Sequence, residues 1–191
     1  AGKLSPEVYI ELSEAIDSSH SAEIKDRNAA ISKKLSPDEL MASYAGSLVG
    51  GNAEHGGRIF FRSQSAMCMK CHAYDDYGGN AGPKLNGIAS RLSREQLLEA
   101  LIKPSARIAP GYGAVTLKMK DGSSVSGILM EENAKNLVIK SGDAGNTTIA
   151  KDKVETRTNA ASSMPELRYV LSKKEIRDLV SFLATLKENK G

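Results

Sequence analysis

Both cysteines of the chain lie in one pentapeptide, Cys68-Met69-Lys70-Cys71-His72. Two thiols at this spacing can each add across a vinyl group of a porphyrin, and the histidine that follows can place its imidazole on the iron. The pattern C-x-x-C-H is the attachment sequence of c-type haem. We therefore predict one covalent haem c, bound by Cys68 and Cys71, with His72 as a ligand of its iron.

Three other uses of this pentapeptide compete with haem attachment. A structural zinc site usually has four Cys or His ligands, and here the second pair would have to come from His20 and His55, which show no paired spacing. A thioredoxin-like redox pair would be expected beside a βαβ pattern, whereas paired glycines flank a short helical stretch here. A simple disulfide would leave His72 without a role. Zinc binding and thiol chemistry stay open as alternatives.

The composition is that of an ordinary globular protein with room for one domain and a second small one. The 191 residues are 40% hydrophobic and 26% charged, and only 5% are aromatic, with no Trp. A haem would supply core mass that aromatic side chains usually provide. No apolar run reaches the roughly 18 residues that a membrane-spanning helix needs, so we expect at most a peripheral association with membranes.

The charges are distributed unevenly along the chain. Residues 1–50 carry 5 basic and 8 acidic groups, whereas residues 51–111 carry 8 basic and 5 acidic groups. A basic region around the pentapeptide could steer an acidic redox partner, although a solvated surface explains it equally well. No basic run suggests nucleic acid, so none is expected as a partner.

Helix-start patterns occur throughout residues 6–50 and again before the pentapeptide. Ser5-Pro6 and Ser36-Pro37 each place a serine cap before a first-turn proline, and Ser36 with Glu39 forms a capping box. Helical spacing of apolar residues predicts two core-facing stripes: Val8, Leu12, Ala15 and Ile16, then Leu40, Tyr44 and Leu48. Residues 53–62 form a further predicted helix.

Two later segments are also predicted to be helical. Ser93 pairs with Gln96, and Ser172 with Glu175, as capping boxes. Their apolar faces are Leu97, Leu98 and Leu101 in the first helix, and Ile176, Leu179, Val180, Leu183 and Leu186 in the second.

The apolar period changes to two between these helices. Val115, Leu117 and Met119 alternate with polar residues, and Asp121-Gly122 is a strong hairpin pattern. About five short strands follow one another in roughly 45 residues, which favours a small closed or half-closed barrel. Its 7 basic and 6 acidic groups nearly cancel, and it has no evident aromatic stacking platform, so a structural or partner-docking role is favoured over RNA binding.

A sixth iron ligand could come from several side chains. Met67 and Met69 are tethered beside His72, and are poor candidates for the opposite face of a haem. The other candidates with ordinary packing or capping explanations are Met41, Met119, Met130, His20 and His55. Met164 stands apart, because it lies in an aperiodic segment, Ser162-Ser163-Met164-Pro165, where a loop can bring a thioether to iron.

The order of these motifs resembles that of class I c-type cytochromes. The landmarks are Gly57-Arg58-Ile59-Phe60, the pentapeptide, the segment from Gly82-Pro83 to Ile88, and Met164-Pro165 before the last helix. The resemblance implies that the Pro83 carbonyl accepts the ring N–H of His72 and orients it. It also implies that Met164 is the second axial ligand of the iron.

The 92 residues between His72 and Met164 exceed what a compact cytochrome needs. With the segments 92–95, 108–112 and 117–122, the chain resembles the planctomycete-type putative haem-binding domain over residues 53–187. The resemblance implies a mainly α, class I cytochrome c-like fold with an inserted all-β, Sm- or SH3-like module. The predicted division is an N-terminal helical extension (1–50), a discontinuous cytochrome domain (51–111 and 159–191) and the inserted module (112–158).

The expected function is single-electron transfer between redox partner proteins, without catalysis by the chain itself. Export to a bacterial periplasm or another exported location is implied, because the c-type haem ligation machinery works outside the cytoplasm. Such a chain could also be the electron-accepting domain of a larger dehydrogenase. The alternative is a five-coordinate or ligand-switching haem enzyme or sensor, but no His-Arg pair is placed in a motif for peroxide cleavage.

Overall fold

The computed structural model describes residues 8–35, 38–142 and 145–188. Its first half is helical, with α1 (Tyr9–Ser18), α2 (Ala22–Leu35), α3 (Glu39–Ser43), a 3-10 helix (Ala45–Leu48), α4 (Ala53–Arg62) and α5 (Cys68–Cys71). A two-stranded hairpin, β1 (Ala73–Tyr74) and β2 (Tyr77–Gly78), is followed by α6 (Ile88–Arg91) and α7 (Arg94–Ile102). A 3-10 helix (Leu167–Tyr169) precedes the last helix, α8 (Lys173–Leu183).

The predicted helices before residue 50 are present in the described part of the chain. The proposed cap residues Ser5, Pro6, Ser36 and Pro37 lie outside the described residues. The described N-cap of α3 is Asp38, whose carboxylate accepts the backbone N–H groups of Leu40 and Met41.

The core-facing stripe predicted for α1 is wrong. Val8 and Leu12 are 38% and 40% exposed, whereas Ile10 is only 2% exposed. Ile10 faces the 3-10 helix at residues 45–48, where its Cγ1 atom lies 3.1 Å from the position a Cβ would take on Gly46. The second stripe, Leu40, Tyr44 and Leu48, does pack against the helical core.

The core of the helical part lies where α4, α7 and α8 meet. Both predicted capping boxes, Ser93 with Gln96 and Ser172 with Glu175, are present, and the apolar faces predicted for α7 and α8 are buried. Helices α4 and α8 pack closely at Gly56, where an added Cβ would lie 2.0 Å from the Asp178 carbonyl oxygen. A glycine is therefore needed at this crossing.

A five-stranded antiparallel sheet lies between α7 and α8 in the sequence. Its strands are β3 (Ala114–Met119), β4 (Ser124–Glu132), β5 (Asn136–Lys140), β6 (Asn146–Ala150) and β7 (Val154–Asn159), in the spatial order β6-β5-β4-β3-β7. The Asp121-Gly122 turn joins β3 to β4, and Gly122 has the positive φ of 86° that favours glycine. The predicted five strands and hairpin are confirmed.

The sheet packs around an apolar core of its own. That core consists of Val115, Leu117, Met119, Leu129, Leu137, Ile139 and Ile149. On the outside, Glu132 accepts hydrogen bonds from Lys151 at 2.6 Å and Arg157 at 2.9 Å, and together these three residues form the Glu132 cluster. Among the described residues no ladder joins the outer strands β6 and β7, so barrel closure stays a prediction.

The chain enters and leaves the sheet at neighbouring positions. Val115 in β3 pairs with Asn159 in β7, and the Ala160 N–H donates to the Ala114 carbonyl at 2.9 Å. Residues 103–113 lead into the sheet and residues 160–166 lead out of it. These two segments therefore meet the sheet side by side. The observed fold combines helices with a five-stranded antiparallel sheet; the division into three units stays a proposal.

Among the described residues, none of the helices has both the length and the apolar character needed to cross a bilayer.

Candidate functional site

The pentapeptide folds as a single helical turn followed by an extended residue. Cys68–Cys71 form α5, and the His72 N–H donates to the Cys68 carbonyl at 2.9 Å. Met67, directly before the turn, has a left-handed backbone with φ of 44°. Cys68, Cys71 and His72 all line one cavity of about 540 Å³. The structure thus brings all three predicted haem-attachment residues to the same space.

The imidazole of His72 is oriented by a backbone carbonyl. Its Nδ1 atom lies 2.8 Å from the Pro83 oxygen. A carbonyl can only accept a hydrogen bond, so Nδ1 carries the hydrogen and Nε2 keeps the lone pair that a metal would bind. The hydrogen bond predicted for Pro83 is therefore present, while the role of His72 as a ligand stays a proposal.

The segment that carries Pro83 is held against the pentapeptide by backbone hydrogen bonds. The N–H groups of Gly79 and Gly82 donate to the carbonyls of Met69 and Cys71 at 2.9 and 2.8 Å. A Cβ on Gly82 would lie 2.6 Å from the Cε1 atom of His72, closer than real contacts allow. The two glycines thus permit a close approach that keeps the His72 ring in place.

The environment of Cys68 disfavours a redox role for its thiol. Burial raises the pKa of the Cys68 thiol to about 11. At neutral pH the thiol is protonated, whereas cysteines active in disulfide exchange have lowered pKa values and react as thiolates.

The walls of the cavity are mainly apolar and come from both halves of the helical part. Side chains from α7, α8 and the 3-10 helix at 167–169 line it, together with the two segments that lead into and out of the sheet. The apolar lining residues in the helices are Phe60, Ile88, Leu97, Ala100, Leu101, Leu167, Leu179 and Leu183. Such a lining excludes water and lowers the local dielectric constant.

Met164 lies on the wall of this cavity, in the aperiodic segment predicted from the sequence. Its side chain is half-buried and also packs against the helical core. The other methionines are placed differently: Met67 adjoins α5 and lines the cavity, Met69 and Met41 pack on the helical core, Met119 is buried in the sheet and Met130 is half-buried in β4.

The two remaining histidines have other surroundings. His20 is exposed in the bend between α1 and α2. The Nδ1 atom of His55, in the first turn of α4, lies 2.8 Å from the Oδ2 atom of Asp178 on α8. The Asn52 N–H donates to the other carboxylate oxygen of Asp178, also at 2.8 Å. His55 therefore joins two helices.

No group of three or more His, Cys, Asp and Glu side chains in the described ranges could hold a metal ion.

Three polar side chains on the cavity wall were not predicted from the sequence. Arg91 donates to the carbonyls of Asn86 and Lys84, and Arg107 lies 3.3 Å from a Glu99 oxygen. Tyr112 joins them on the wall. Nothing in the spacing of these residues distinguishes them from surface residues, because their positions depend on how distant segments pack.

The residues at this site fit a covalently attached haem. Two thiols at the required spacing, an imidazole with a free Nε2 atom and a thioether share an apolar cavity whose volume is in the range of cofactor sites. Gly82 has no side chain to crowd the imidazole ring of His72, so the ring can keep its hydrogen bond to the Pro83 carbonyl. Imidazole and thioether groups are both side-chain ligands that haem iron takes in proteins.

Comparisons with known proteins found one matching family model and similar solved structures. Residues 53–139 match the family model described as cytochrome c. The structure is similar to a crystal structure of SoxXA from P. pantotrophus, with 22% sequence identity and a TM-score of 0.38. That alignment covers 73% of this chain and 85% of the other chain. No curated protein matches the sequence.

Proposed function

Because residues 53–139 match the cytochrome c family model, we propose that the protein is a monohaem electron-transfer cytochrome. One haem c would be attached through Cys68 and Cys71, with His72 and Met164 as the ligands of its iron. The observation that carries the proposal is the shared cavity, where all four side chains lie on the wall and the His72 ring is bonded to Pro83.

The protein's own groups would keep the site ready for electron transfer. The Pro83 carbonyl holds the His72 tautomer that leaves Nε2 available, and the apolar walls limit the rearrangement of water when charge changes. When bound, a haem with His and Met ligands exchanges single electrons, and the thioether raises the potential relative to a second imidazole.

Redox proteins are the proposed electron donor and acceptor. Beside the pentapeptide lies a groove of about 460 Å³, with exposed Phe61 and Met67 and with Arg62 and Lys70 on its wall. This combination suits a transient partner that presents an apolar contact ringed by carboxylates. Lys84 is a weaker candidate, because its Nζ atom lies 3.9 Å from Asp76. An exported location, at most peripheral contact with membranes and no nucleic-acid partner complete the proposal.

Spectra of the matured protein test this function. Reduced-minus-oxidised spectra should show a low-spin haem, and the ferric form should show the weak far-red band of a methionine ligand. Met164→Ala should abolish that band and let the ferrous form bind carbon monoxide. Met130→Ala, the same change in the sheet, should leave both properties unchanged.

Three outcomes would contradict the proposal. Retention of the far-red band in Met164→Ala would exclude Met164 as the ligand. Unmodified thiols in the mass spectrum of protein made in a host with the c-type maturation machinery would exclude covalent haem. Carbon monoxide binding by the unsubstituted protein would favour the five-coordinate enzyme or sensor instead.

A further inference from the structure

The segment that carries Met164 is tied to the segment that leads into the sheet. Met164 lies five residues after the end of β7 at Asn159, within an irregular stretch. Residues 103–113 run alongside, and both segments line the cavity. The position of Met164 thus depends on contacts between two pieces of chain that are about 60 residues apart in sequence.

Two hydrogen bonds join the segments, and a third lies within the segment that carries Met164. At the edge of the sheet, the Ala160 N–H donates to the Ala114 carbonyl at 2.9 Å. Next, the Ser162 N–H donates to the Oγ atom of Ser105 at 3.1 Å. Finally, the Met164 N–H donates to the Oγ atom of Ser162 at 3.1 Å. The ties follow the chain stepwise from the sheet to the thioether.

Of the two hydrogen bonds between the segments, the one accepted by Ser105 involves a side chain, whereas the other joins backbone groups. Ser105 lies in the turn after α7, three residues beyond Ile102, and is exposed. Pro104 beside it is buried on the cavity wall, and the Ala106 N–H donates to the Lys103 carbonyl at 2.8 Å, so the turn is held in place while the Ser105 hydroxyl reaches the Met164 segment. A fixed acceptor on one segment restricts the movement of the other.

We propose that Ser105 is a positioning residue that holds Met164 at the haem iron. This inference rests on the proposed function, in which Met164 is an iron ligand. Without the hydroxyl, the Ser162 N–H bonds to water and the segment visits positions in which the thioether is away from the iron. Loss of one exposed hydrogen bond should shift the equilibrium between the bound and the released thioether by about two- to five-fold.

Imidazole titration of the ferric holoprotein measures this equilibrium, because imidazole binds where the thioether leaves. Ser105→Ala and Ser105→Val should lower the apparent Kd for imidazole by about two- to five-fold. Ser105→Thr keeps the hydroxyl with the shape of valine and should retain the original Kd. Ser124→Ala, an exposed serine at the start of β4, is the control and should also retain it.

The outcomes separate this proposal from the proposed function. Equal imidazole affinities in the Thr and Val variants would overturn the role of Ser105, provided that the unsubstituted protein shows the far-red methionine band. If the unsubstituted protein lacks that band, both proposals fall. Urea unfolding of each variant serves as a second readout, since a merely structural role would lower the unfolding free energy of the Ala and Val variants while leaving their apparent Kd for imidazole unchanged.

Discussion

The crossing of α4 and α8 offers a pair of adjacent glycines with opposite expected responses to alanine. At Gly56 a Cβ would lie 2.0 Å from the Asp178 carbonyl oxygen and 2.8 Å from the Cβ of Phe182. At Gly57 the nearest atom is Cδ2 of the Phe182 ring, at 3.3 Å. The first contact involves backbone, whereas the second involves a ring that can turn by a few tenths of an ångström.

The expected free energies follow from these distances. In a helix, alanine is favoured over glycine by about 1 kcal/mol. At Gly56 the two helices would have to move apart by about 1 Å, and overpacking of this kind costs about 1–3 kcal/mol or more. Because the clash at Gly56 is with backbone, the upper end of that cost applies, about 3 kcal/mol, and the helix preference of alanine offsets about 1 kcal/mol of it. We therefore expect Gly56→Ala to lower the unfolding free energy by about 2 kcal/mol, and Gly57→Ala to leave it unchanged or raise it by up to about 1 kcal/mol.

Urea unfolding of the holoprotein, followed by far-ultraviolet circular dichroism, measures both changes. Haem content is matched between the variants, so that any difference reports the helix crossing. If Gly56→Ala were as stable as Gly57→Ala, the close approach of α4 to Asp178 would not exist in solution.

Three further predictions concern the sheet, the buried carboxylate and the His72 ring. Hydrogen bonds from Lys151 and Arg157 lower the pKa of Glu132. The stabilisation that the ionised Glu132 carboxylate contributes is therefore present above the unfolded pKa and is lost as pH falls through the folded pKa. Glu132→Gln should lower the unfolding free energy by about 0.5–1 kcal/mol at neutral pH. In urea unfolding this difference should shrink as pH falls from about 6 to 3, and a difference that stays constant would contradict the ion pairs of the Glu132 cluster. Asp178→Ala leaves the Asn52 N–H without its partner and should cost about 2–3 kcal/mol in the same assay, whereas a loss below about 0.5 kcal/mol would mean that water replaces the carboxylate. Gly82→Ala should push the His72 ring away from its carbonyl acceptor and alter the ligand bands in the absorption spectrum, so an unchanged spectrum would contradict the close packing.

Local patterns predicted those parts of the fold whose causes lie close together in the chain. The capping boxes at Ser93 and Ser172 need only residues three apart, and the Asp121-Gly122 turn needs only a positive φ. The stripe predicted for α1 was wrong, because a short amphipathic helix offers more than one apolar face and the neighbour it packs on decides which is buried. Ile10 is the buried residue of α1 because it contacts the 3-10 helix at 45–48.

The sequence alone determined the chemistry that the site could perform. The spacing of Cys68, Cys71 and His72 defines a haem-attachment sequence whatever the rest of the chain does, since these residues are fixed relative to one another by covalent geometry. By contrast, the sequence left the surroundings of His55 open, and it was the packing of α4 on α8 that placed it beside Asp178.

The surroundings of that chemistry depend on the tertiary packing. The cavity, the approach of Met164 and the contact between Ser105 and Ser162 join residues that are far apart in the chain. Their proximity depends on how helices cross and on where the sheet returns the chain, which are sums of many weak packing interactions that no short pattern encodes.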